Sequence, residues 1–111
     1  MHALVLTTAP NAETVERITA RLLDLRLVAC ANSFSVSSTF RWKGKVERAD
    51  EMMVFYKARA EDFAEIRTEI EKLHPYETPC IELVEIEDAN SPCLEWIKDS
   101  TERHRAGSSR R

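Results

Sequence analysis

An α+β fold in a single domain is predicted by three observations. Two segments carry apolar residues at helical spacing, four carry strand character, and they alternate as strand, helix, strand, strand, helix, strand. A short helix closes the chain. At 111 residues there is room for one substantial core and not for two.

The first strand, 2–8, is apolar at Ala3-Leu4-Val5-Leu6 and stops at Thr7-Thr8-Ala9-Pro10. Asn11 can cap a helix with Glu13 in its first turn, where the helix dipole favours a carboxylate. Val15, Ile18, Leu22 and Leu25 then recur on one helical face, predicting a helix over 12–26. From 28 to 42 the period changes to two, with Phe34, Val36, Ser38, Phe40 and Trp42 sharing one parity. That run is too long for an ordinary strand, so it is bent, bulged or extends beyond its own sheet. Lys43-Gly44-Lys45 is the hairpin turn, and Gly44 sits where a positive φ is needed. The return strand covers 46–57 and ends in Met52-Met53-Val54-Phe55-Tyr56.

Phe63, Ile66, Ile70 and Leu73 mark a second helix over 60–73, ended at His74 by the following Pro75. The fourth strand spans 81–87. Ser91-Pro92 starts the last helix, 92–100, with Ser91 as the capping hydroxyl. This order is the ferredoxin-like split βαβ arrangement, with both long helices on one face of an antiparallel sheet and strands one and three central. One feature conflicts with a monomer. Ala3-Leu4-Val5-Leu6 and Met52-Met53-Val54-Phe55 are apolar at both parities, whereas a sheet covered on one side alternates. Something beyond a short terminal helix must cover the second face, and self-association is the simplest answer.

Composition excludes several classes. Apolar residues make up 43% and charged residues 32%, far from a disordered chain. No apolar run approaches the roughly 20 residues of a membrane helix. Residues 1–6 lack the basic start of a signal peptide, so a cytoplasmic protein with no membrane partner is expected. The last eleven residues hold four arginines against Glu102, a net of +3; the chain as a whole is −3, leaving −6 on residues 1–100. An acidic body argues against nucleic acid as a partner. Residues 1–100 are read as the domain and 101–111, with Gly107-Ser108-Ser109, as a flexible tail. Cys30, Cys80 and Cys93 have neither an even count nor paired spacing, which argues against disulfides and closed zinc sites. The two glycines, 44 and 107, cannot form a phosphate-cradling loop, and no nucleophile–base pairing is evident, so an enzyme is not expected.

The densest functional signal is His74-Pro75-Tyr76-Glu77-Thr78-Pro79. Two prolines stiffen a loop that carries imidazole, phenol and carboxylate. The loop is either a rigid turn or a site. Together with Thr8-Ala9-Pro10, Leu27-Val28-Ala29-Cys30-Ala31-Asn32, Ser38-Thr39-Phe40-Arg41-Trp42-Lys43-Gly44-Lys45, Glu47, Glu51, Lys57 and Leu94-Glu95-Trp96-Ile97, it resembles the CutA family of divalent-cation-tolerance proteins. The resemblance runs from residue 8 to 97. It implies a ferredoxin-like homotrimer, similar in assembly to PII-type signalling trimers, with long second and third strands reaching across neighbours. It also implies a link to copper and other divalent metals, and no catalytic activity. Thr7 and Leu73 stand where some members place a cysteine and a second histidine, so two soft ligands are missing.

An imidazole with a carboxylate suits copper, zinc or nickel, and a thiolate adds preference for Cu(I). His74, Glu77 and Cys30 are the candidate metal ligands, Cys30 joining only through folding. Tyr76, Trp42, Lys57, Asn32 and Glu47 are the candidate lining of a cleft between subunits. Asn32 is expected to be a buried amide and Lys57 to meet Glu47, Glu51 or a small anionic ligand. A divalent ion, copper first, is the expected ligand and is not required for folding. A structural scaffold binding neither metal nor anion is the remaining alternative.

Overall fold

The computed structural model describes residues 1–103. Four strands form one antiparallel sheet: β1 (His2–Ala9), β2 (Val28–Trp42), β3 (Lys45–Arg59) and β4 (Ile81–Glu85), in the order β2-β3-β1-β4. The helices are α1 (Ala12–Asp24), α2 (Phe63–Leu73), entered through a 3-10 turn at Ala60–Asp62, and α3 (Ser91–Ser100). The predicted ferredoxin-like order and the central placing of β1 and β3 are both observed.

Alternation decides the core. Ala3, Val5, Thr7 and Ala9 of β1, with Val54, Tyr56 and Ala58 of β3, are buried. Val5, Ala9, Val54, Tyr56 and Ala58 share a core cluster with Val15, Ile18 and Leu22 of α1 and Ile66 and Ile70 of α2. The opposite parity, including Leu4, Leu6, Met53 and Phe55, is only half-buried, while Phe34 and Val84 are exposed. Within one chain the second apolar face is therefore open. α3 packs against β2 and β3, with Ile97 fully buried.

The length of β2 and β3 resolves into two parts. β1 pairs with β3 only from Met52 to Arg59. Residues 45–51 pair with residues 36–42 of β2 and, among the described residues, with no other strand. The result is a two-stranded ribbon running roughly 23 Å past the sheet at the usual strand rise. It closes through Lys43 (φ 49°) and Gly44 (φ 83°), both left-handed, as a two-residue primed turn requires. Near the root of β2 the register shifts between Val28, opposite Ala58, and Cys30, opposite Lys57, so Ala29 is an extra residue in a bulge.

Several boundaries differ from expectation for local reasons. α1 ends at Asp24 because Arg26 adopts a left-handed φ of 58°, with Leu27 N–H closing onto the Leu22 carbonyl. Arg26 is held there by its guanidinium, which donates to the Glu102 and Asp99 carbonyls at 2.7 and 3.0 Å. Asn90, not Ser91, is the cap of α3, and Cys93 N–H bonds to its carbonyl. Thr101 is buried, and Arg103 forms a bidentate pair with Asp62 at 3.1 and 3.2 Å. Residues 101–103 therefore belong to the packed chain, and the remainder of the expected tail lies outside the described residues.

Candidate functional site

The hexapeptide leaves α2 at His74, whose backbone turns extended (φ −81°, ψ 133°) as a residue before proline should. Its imidazole is folded back and nearly buried, at 9% exposure. One ring nitrogen, Nδ1, accepts the Tyr76 backbone N–H at 3.2 Å. The other, Nε2, must then carry the proton, and it donates to the Thr8 carbonyl at 2.7 Å. The two rings stack obliquely, 4.7 Å between centroids. Tyr76 Oη donates to Glu51 Oε2 at 2.5 Å. Burial first, then the adjacent Glu51 carboxylate, pushes the Tyr76 phenol above the ordinary tyrosine range. At the far end of the loop, Thr7 Oγ1 donates to the Cys80 carbonyl at 2.7 Å. The loop is thus tied to the last residues of β1 at both ends and to β3 in the middle.

Glu77 points away from this arrangement. It is exposed and meets Lys43 at the ribbon turn at 3.9 Å, a contact of little energetic weight. Lys43 also lies 5.5 Å over the ring of Trp42. A second polar group gathers at the root of β2. Lys57 Nζ donates to Asn32 Oδ1 at 3.0 Å and approaches Cys30 Sγ at 3.9 Å, while the thiol faces Asn32 Oδ1 at 3.7 Å. The Ala29 bulge puts Cys30 on this side of the sheet.

Cys30, Asn32 and Lys57 are brought together as neighbours, and His74 and Tyr76 form a separate corner. Lys57 is opposite Leu4 on β1 and His74 reaches Thr8, so the two groups stand about four strand residues, roughly 13 Å, apart. The three expected metal ligands therefore do not converge within one chain, and no group of three or more metal-binding side chains occurs among the described residues. Asn32 is exposed, not buried, and Glu47 is exposed on the ribbon. Lys57 forms no ion pair with Glu47 or Glu51. Glu51 is instead the acceptor of Tyr76, a partnership that sequence reasoning missed. The shallow groove between α1 and β2, lined by Val15, Thr19, Leu23 and Ala31, contains none of the predicted site residues.

Residues 3–100 match the family model described as CutA1 divalent ion tolerance protein. The chain belongs to this family. Among CutA relatives, the divalent-cation tolerance protein CutA of Archaeoglobus fulgidus is 44% identical over 92% of this chain and 100% of its own length. That of Thermotoga maritima is 37% identical, covering 87% of this chain and 96% of its own. The solved A. fulgidus structure, described as the periplasmic divalent cation tolerance protein CutA, superposes with a TM-score of 0.90 over 92% of this chain and 100% of that one. The Thermus thermophilus CutA1 structure, 31% identical, gives 0.88 over 92% of this chain and 100% of its own. The CutA family is named for ion tolerance and not for a reaction. No helix among the described residues is long and apolar enough to cross a membrane.

Proposed function

We propose that this chain works as a non-enzymatic homotrimer that binds divalent ions such as copper weakly, in clefts formed between subunits. The observation that carries this reading is the unfinished second face of the sheet. Leu4, Leu6, Met53 and Phe55 are half-covered, and the ribbon of residues 36–51 has no further strand partner among the described residues. Further copies supply both cover and partner, at roughly 25 cal/mol per Å² of apolar surface removed from water. The metal part draws support from relatives named for divalent-cation tolerance.

A tight site within one chain does not fit the residues present. Both nitrogens of His74 are engaged, and a bonded lone pair cannot also ligate. Donors with capacity left are the exposed Glu77 and the Cys30 thiol, each a single ligand. Combining them across copies makes an open, exchangeable site, which the fold does not require. A second reading is favoured by Lys57, a half-buried ammonium without a carboxylate partner among the described residues. A small anion beside Lys57 and Asn32 would make the trimer a PII-like sensor.

Light scattering and calorimetry on tag-free protein test both parts. The expected result is the mass of three chains and a weak copper isotherm that Glu77→Ala diminishes. A single-chain mass at micromolar concentration defeats the trimer, and heats equal to buffer defeat the metal.

A further inference from the structure

We propose that the His74-Pro75-Tyr76-Glu77 corner is a clamp that sets the course of the ribbon, with His74 and Tyr76 as positioning residues and not metal ligands. This rests on reading the ribbon as an element shared between copies. Position is the first ground. Met52 is the last residue of β3 supported by β1, and Glu51, the next one out, is the residue that Tyr76 holds. The tie therefore sits where the ribbon loses its third strand and would otherwise pivot on a single hairpin ladder.

The second ground is that both ring nitrogens of His74 and the Tyr76 hydroxyl serve this tie, while Glu77 stands outside it. His74 Nε2–H spends its hydrogen on the Thr8 carbonyl beside Ala9, the last β1 residue paired with β3. Its Nδ1 fixes the Tyr76 backbone, which aims the phenol at Glu51. Thr7, through the Cys80 carbonyl, anchors the loop's exit. The prolines remove the loop's remaining slack. Such a chain transmits the position of the sheet's end to the ribbon's root. A hydroxyl donating to a carboxylate is among the stronger single ties available, because the acceptor is charged.

Hydrogen exchange on the full-length protein reads the clamp directly. Tyr76→Phe removes only the hydroxyl; amides of residues 45–51 should exchange roughly tenfold faster, the scale of one lost charge-assisted hydrogen bond. Amides of β1 and α1 should be unchanged. Glu51→Gln keeps an oxygen acceptor but loses its charge, so its exchange should fall between wild type and Tyr76→Phe, whereas Glu51→Leu should match Tyr76→Phe. Wild-type exchange in both Tyr76→Phe and Glu51→Leu overturns the clamp. Copper titration of His74→Gln should change affinity by less than about twofold, since an amide is a poor substitute for an imidazole ligand and a real ligand's loss would cost far more. A tenfold or greater loss overturns the assignment. A single-chain mass for the wild type would defeat the shared-ribbon reading alone, and exchange would still decide the clamp.

Discussion

The two faces of the sheet use the same strands and much the same residue types, yet a single chain completes only one. On the helix side Val5, Val54 and Tyr56 are buried, and α1 and α2 lock over them through Ile18, Leu22, Ile66 and Ile70. On the other side Leu4, Leu6 and Phe55 remain half-covered, and Phe34 packs edge-on against Phe55 at 5.6 Å while still 48% exposed. The first face is a core governed by packing within the chain. The second has the composition of a core and the exposure of an interface. Substitutions on the two faces should therefore fail in different ways: the first in folding, the second in association.

Ile70→Ala attacks the finished face and carries the largest expected effect. Truncating a fully buried isoleucine costs about 2–5 kcal/mol, to be read from urea unfolding at fixed protein concentration. A loss below 1 kcal/mol, as at surface positions, would erase the distinction between the faces. Leu6→Lys attacks the open face. Far-ultraviolet circular dichroism should be retained while subunit dissociation strengthens by about a hundredfold, equivalent to roughly 3 kcal/mol. Unchanged mass across a dilution series would show that this face is not an interface.

The smallest effect sharpens the comparison from inside the core. Tyr56 is fully buried, and its hydroxyl shares a 2.8 Å hydrogen bond with Thr19 Oγ1. Burial pushes its phenol from the ordinary value near 10 up to about 12, against a small opposing effect of the Thr19 bond. The folded chain thus keeps this proton longer than the unfolded chain does. Stability from this group is level below pH 10 and falls between about 10 and about 12. Tyr56→Phe should cost about 1 kcal/mol near neutrality and flatten the alkaline decline, both measurable by denaturant titration across pH. An alkaline profile identical to wild type would remove Tyr56 as its source.

What could be read from the chain beforehand divides along similar lines. Helices and strands were legible because Val15, Ile18 and Leu22, or Phe34 and Val36, repeat their period locally. The over-long second strand left a bend, a bulge or an extension beyond the sheet open, and the double-sided apolar strands pointed to a second face in need of cover. The end of α1 was not legible, because Arg26 takes a conformation usual for glycine and is held there by carbonyls more than 70 positions away. At the site, the stiff loop and the importance of His74 and Tyr76 could be seen, but their partners could not. A backbone carbonyl such as that of Thr8 has no sequence signature, and Glu51 lies 25 positions from Tyr76. Mid-strand position suggests a buried Asn32, but its register opposite Phe55 puts the amide on the uncovered face of the edge strand β2, where it is exposed.

The extra residue at Ala29 has a consequence for how this gene can change length. Strand side chains alternate, so the bulge moves Cys30 to the side opposite Val28 even though the two are separated by a single residue. Everything from Cys30 to Trp42 inherits that choice. Loss of the one codon for Ala29 leaves composition almost untouched, yet it forces either Val28 out of the core or thirteen following residues onto the wrong side. Insertions in the ribbon turn at Lys43-Gly44 carry no such obligation, because nothing downstream depends on that parity except the hairpin itself. One alanine without a functional group is thus among the least replaceable positions by deletion.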